Sequence, residues 1–165
     1  MSDDFRMTVF YSLEDTGLHI AYRLDAPLAD LIIPGVDRPS NGRMDRLWEH
    51  TCFELFLGSD NSSGYREFNL SPSGAWNVYS FTGYRSGMKP EPLFKTLPFD
   101  VGTVTDSRLE LSLSIDPAFI SGASNTLIGL SAVLAHVSGE KSFWALSHPG
   151  STPDFHNRKS WQRPL

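Results

Sequence analysis

The stretch Leu47–Phe81, LWEHTCFELFLGSDNSSGYREFNLSPSGAWNVYSF, decides the fold. It reads as three consecutive β-strands joined by two turns. From Cys52 to Leu57, Phe53, Leu55 and Leu57 alternate with Cys52, Glu54 and Phe56. Successive side chains of a strand point to opposite faces, so the two sets separate. Gly58 to Gly64 is a polar, glycine-bounded loop of hairpin length. From Tyr65 to Leu70, Arg66, Phe68 and Leu70 point one way and Tyr65, Glu67 and Asn69 the other. Ser71-Pro72-Ser73-Gly74 makes a second turn, and Ala75 to Phe81 is the third strand. If each strand gives its more apolar face to the core, Glu54, Glu67 and Asn69 emerge together on the opposite sheet face. Carboxylates, an amide and nearby tryptophans on one sheet face mark it as a candidate binding surface.

Outward from this stretch the pattern stays that of strands. Phe5 to Glu14 and Gly17 to Asp25 form a hairpin, with Leu18, Ile20, Tyr22 and Leu24 on one face. Leu28 to Ile33 reads as a further strand, and Val36 to Asp45 as a long connection into Trp48. Phe99 to Thr105 and Leu109 to Ile115 form another hairpin, and Asp116-Pro117 starts a single helical turn. Thr126 to Val137 and Ser142 to Ser147 are the last strands. The tail from His148 is irregular and is expected to be pinned by hydrogen bonds. About nine to eleven strands, with turn signals every eight to twelve residues or so, predict an all-β, antiparallel two-sheet β-sandwich of jelly-roll or immunoglobulin-like type. Phe53, Leu55, Leu57, Phe68, Leu70, Leu111, Leu113, Leu130 and Val133 are its expected core, and Cys52 reads as a small buried hydrophobe.

The chain of 165 residues carries no internal repeat and no linker, so one domain over 1–165 is expected. A net charge of −5 argues against nucleic acid and anionic membrane as partners, because both call for a basic footprint. The opening MSDDFRMTVF places acids where a signal peptide carries positive charge, and no long apolar run exists. With a single cysteine there is no intrachain disulfide and no cysteine-rich zinc site. These features lead to the expectation of a cytoplasmic protein.

Trp48 and Cys52-Phe-Glu54-Leu-Phe-Leu, then Tyr65-Arg-Glu67-Phe-Asn69-Leu and Pro72-Ser-Gly74-Ala-Trp76-Asn77, resemble the central strands of DOMON-like domains. That superfamily is similar to the family-9 carbohydrate-binding modules. The resemblance extends more loosely through Phe143-Trp144-Ala-Leu-Ser-His148-Pro and Pro153-Asp154-Phe155-His156. It implies a β-sandwich that binds sugars in some members and haem in others. In the sugar-binding modules a tryptophan before this strand stacks on the sugar, and a glutamate six residues on hydrogen-bonds its hydroxyls. Trp48 and Glu54 match that spacing. Glu67, with Arg66 as the lesser match, stands for the polar residue of the next strand, and Trp144 for the second tryptophan.

The expected ligand is therefore a saccharide or sugar derivative, held by Trp48, Glu54, Glu67, Asn69 and Trp144, with no catalytic residue and no cofactor. A sugar offers an apolar C–H face to aromatic rings and a rim of hydroxyls to acids and amides. Haem is the first rival, with Met7, Met44 or Met88 paired with His50, His136 or His148. A weak carbohydrate-active hydrolase using the Glu54/Glu67 pair is the second. His148, Asp154 and His156 fit no recognised metal motif, and no metal is expected. Ser59-Asp60-Asn61 carries no recognisable calcium pattern.

Overall fold

The computed structural model describes residues 4–35, 42–120, 122 and 124–164. Eleven strands among the described residues form two sheets: β1 Arg6–Glu14, β2 Gly17–Asp25, β3 Gly42–Arg43, β4 Cys52–Ser59, β5 Ser62–Leu70, β6 Ala75–Phe81, β7 Lys89–Pro90, β8 Phe99–Val104, β9 Arg108–Ile115, β10 Thr126–Ala135 and β11 Lys141–Ala145. One sheet runs β1-β2-β9-β8. The other runs β11-β10-β4-β5-β6-β3, with β7 added on β6. Every pairing is antiparallel except the short β3–β6 contact. This is the expected two-sheet sandwich. No described helix is long and apolar enough to cross a membrane.

The alternation read from the sequence sets the layers. Phe53, Leu55 and Leu57 from β4, Phe68 and Leu70 from β5, and Leu130 from β10 meet Leu18, Ile20, Leu24, Leu111 and Leu113 between the sheets. Tyr22 ties the two layers together. Its ring packs edge-on against Phe53 at 5.3 Å, and its hydroxyl donates to the Glu54 carbonyl at 2.6 Å. Val133 is buried, but it lies cross-strand from Cys52 and faces away from this core. The smooth apolar run of β10 hides its parity, which places Val133 on the other side of the sheet.

The segment 28–33 differs from the strand expected there. Leu28–Asp30 is a turn of 3-10 helix, followed by a lone bridge from Leu31 to His136. Pro27 before it and the packing of Leu28 into the core favour the turn over an extended edge. Of the long connection read over 36–45, residues 36–41 lie outside the described residues. Asp116 caps the expected single turn, Pro117–Phe119, by accepting from the Ala118 N–H.

The outer face of the larger sheet is also covered. Its cover is the tail, which packs Trp161 against Phe56 and Tyr65 in one cluster with Tyr79 and Phe81. Gln162 exchanges two backbone hydrogen bonds of 2.8 Å with Ile128, and Arg158 donates to the carbonyls of Ser59, Ser63 and Gly64. Gly129 and Gly58 make room for the indole. A Cβ on Gly129 would meet Trp161 Cδ1 at 2.5 Å, and one on Gly58 would meet its Cζ3 at 2.8 Å.

Gly129→Ala should therefore lift the tail. Overpacking against so rigid a ring costs about 1–3 kcal/mol, read as a lowered midpoint in chemical denaturation. Trp161 fluorescence should shift to the red. Gly102→Ala, whose Cβ meets nothing closer than 3.7 Å, is the control and should leave both unchanged. Equal behaviour of the two variants would contradict this packing.

Candidate ligand-binding site

The outer-face residues of β4 and β5 form the floor of a cavity of about 420 Å³. Glu54 and Glu67 rise from it as diagonal neighbours, since Glu54 pairs with Asn69, two residues along β5 from Glu67. The walls are Trp48, Phe81, Arg85, Met88, Val133, Phe143, Pro153, Phe155 and His156. Trp48 comes from a 3-10 turn, Leu47–Glu49, and not from an extension of β4. Its indole stands edge-on to Tyr79 at 5.6 Å. Tyr79 is pinned in turn by donating to Asp45 at 2.9 Å and accepting from Asn77 at 3.0 Å.

Two of the five expected residues sit elsewhere. Asn69 is fully buried beneath the floor, where its side-chain amide donates to Glu67 Oε1 at 2.9 Å. It buttresses the carboxyl from below. Trp144 pairs with Ala132, so its ring lies on the core side of the sheet, hydrogen-bonded to Ser142 Oγ. Phe143, one residue earlier, has the opposite parity and reaches the cavity. Arg66 points to Glu91 at 3.0 Å and away from the floor. Of the methionines and histidines considered for haem, Met88 lines the cavity while His50, His136 and His148 do not.

The tail supplies the far wall through a chain of hydrogen bonds. The Tyr65 hydroxyl accepts the Arg85 backbone N–H at 3.2 Å and is hydrogen-bonded to His156 Nδ1 at 2.6 Å. The other ring nitrogen, Nε2, faces Glu67 Oε2 across 3.6 Å. Arg85, in the left-handed region at φ 49°, turns its guanidinium to Asp154 at 2.7 Å. Tyr84 donates to the other Asp154 oxygen at 2.6 Å. Burial opposes ionisation of Asp154, but the Tyr84 and Arg85 hydrogen bonds outweigh it and hold its carboxyl below the usual range.

The floor has the opposite character. Burial first, and then the Glu67 charge, push the Glu54 carboxyl well above the usual carboxylate range. Burial raises Glu67 to about 7, against the pull of the Asn69 hydrogen bond and the Arg85 charge. Burial, with Arg85 adding to it, lowers His156 to about 4. Glu54 is 4% exposed and accepts no well-formed hydrogen bond from a described residue. Ser131 lies cross-strand from it, close enough to soften its shift, yet its hydroxyl is buried without an aligned partner.

Sequence reasoning did not place Arg85, Phe143 or Phe155 in the site, and it weighed His156 only as a metal ligand. The signal available for the last two was an aromatic and a histidine set in an otherwise polar tail that ends in Trp161. In comparisons with known proteins, no family model and no curated protein matches the chain. The fold is similar to a crystal structure from Bacteroides uniformis ATCC 8492, of a protein for which carbohydrate binding has been suggested. The TM-score is 0.65 at 10% identity, over 95% of this chain and 76% of that one.

The pH dependence of stability follows from the shifts. Glu67, raised from 4.5 to about 7, contributes stability that is present below pH 4.5 and lost as pH rises through about 7. His156, lowered from 6.5 to about 4, contributes stability that is present above pH 6.5 and lost as pH falls through about 4. The two nearly cancel below neutrality. Glu54, raised well above 4.5, has no such counterweight, so its contribution is present below pH 4.5 and stability should fall as pH rises above that toward its folded-state value. Glu54→Gln should flatten that decline, gaining about 1–3 kcal/mol on the alkaline side. Denaturation midpoints of both proteins at about pH 6 and about pH 9 check it, and parallel pH profiles would refute it.

Proposed function

We propose that this cavity binds a saccharide, and that the protein is a binding module of the jelly-roll, DOMON-like kind. The observation that carries the reading is one cavity combining aromatic walls with a polar floor. Trp48, Phe81, Phe143 and Phe155 offer faces for the C–H side of a sugar ring, while Glu54, Glu67 and His156 offer acceptors and a donor for its hydroxyls. Its size is in the range of small-molecule sites. The fold shared with a protein for which carbohydrate binding has been suggested supports the same class of ligand.

Trp48→Ala should weaken binding of a monosaccharide or disaccharide about tenfold, the loss of one stacking ring. Calorimetric titration measures that. Because Trp48 is half-buried in the middle of a short turn, the melting temperature should change little. A variant that folds and binds as before would remove Trp48 from the site. Phe143→Ala should act in the same direction, and Trp144→Ala should not lower affinity in a folded protein.

A further inference from the structure

The floor of the cavity is built for a positive charge. Resting on the saccharide reading, we propose that the ligand is an amino sugar, its ammonium seated between Glu54 and Glu67. Three observations on geometry carry this.

First, Glu54 is 4% exposed and lines the cavity, and the one described donor near its carboxyl is the cross-strand Ser131 hydroxyl, which eases its ionisation without an aligned hydrogen bond. Its carboxyl is thus a buried acceptor directed at whatever occupies the space. Second, no described lysine or arginine forms an ion pair with either carboxyl. The groups facing the pair are Cys52 from β4, Tyr65 from β5, Tyr79 from β6, Tyr22 from behind, Arg85 from the turn after β6, and Asp154 and His156 from the tail. Of these, Arg85 lends its charge to both carboxyls but donates its hydrogen bond to Asp154 at 2.7 Å, and burial keeps His156 a neutral ring. A hydroxyl would give each carboxyl a hydrogen bond but leave two buried negative charges unbalanced or protonated. Third, Trp48, Phe81, Phe143 and Phe155 line the same cavity, and aromatic rings are favourable neighbours for a cation.

Without ligand, two acids this close and this buried retain protons. An entering ammonium takes their place, and a proton leaves to solvent for each carboxyl that ionises. Neutral-sugar binding needs no such release.

Calorimetric titration of the wild-type protein with glucosamine and glucose, and with the disaccharides of glucosamine and of glucose, tests the proposal. The amino sugars should bind about tenfold more tightly than their neutral parents. Titrations near pH 6 in buffers of different ionisation enthalpy should reveal proton release for the amino sugars alone. Glu54→Gln should remove the preference for the amino sugar over its neutral parent, a change of about tenfold in the ratio of the two affinities. Equal affinities in the wild-type protein, or no proton release, would overturn the charge proposal and leave the saccharide reading standing. If no sugar of either kind binds, the saccharide reading itself falls. Cyclohexylamine binding as tightly as glucosamine would also defeat it, since the ring hydroxyls would then be irrelevant.

Discussion

The structure depends on one constraint, the burial of strand β4 on both faces. Alternation sends Phe53, Leu55 and Leu57 into the sandwich and Glu54 and Phe56 to the other side. In most antiparallel sheets that other side meets water. Here the tail lies across it, so a glutamate that would have been solvated becomes a buried acid. Burying each apolar side chain of the inner set stabilises the fold by about 1.5–3 kcal/mol. Holding one carboxyl in a poorly paired state costs about 1–3 kcal/mol. The inner face wins, and the strand tolerates an acid at its centre.

The tail stays in place because several weak ties converge. Trp161 lies over Gly58 and Gly129, Arg158 caps the β4–β5 turn with three hydrogen bonds, and Gln162 continues the sheet edge beside Ile128. At the cavity the tie is electrostatic. Asp154 receives both Tyr84 and Arg85, and the same Arg85 offers its backbone N–H to Tyr65. Tyr65 then fixes the His156 ring that faces Glu67. Tail position and the state of the carboxyl pair are therefore coupled through one short chain of contacts.

The parts legible in the sequence are those where a period of two is unambiguous. The mixed apolar and polar alternation of β4 and β5 placed Glu54, Glu67 and Asn69 on one face, as observed. Trp48 reaches the same cavity by a turn and not by strand parity, so its position was read correctly for an incomplete reason. Parity failed where composition is uniform. β10 is apolar on both faces, which hid the outward side of Val133 and, through cross-strand pairing, the choice between Phe143 and Trp144. Nothing local marks Arg85, whose role comes from a left-handed backbone and a partner 69 residues away.

Asn69 shows why depth, as well as facing, has to be known. It has the right parity and sits beside both glutamates, yet its whole side chain is beneath the floor. Its amide donates to Glu67 and its carbonyl oxygen lies 3.8 Å from the Cys52 sulfur. Near Glu54 there is only the cross-strand Ser131 hydroxyl, without an aligned hydrogen bond. That difference separates two acids on one sheet face. Glu67 has one oxygen engaged from below, while Glu54, higher in its shift, has no well-formed protein partner. An occupant of the cavity therefore meets the less engaged of the two acids at Glu54, and the asymmetry between them favours that place for a donor or a cation.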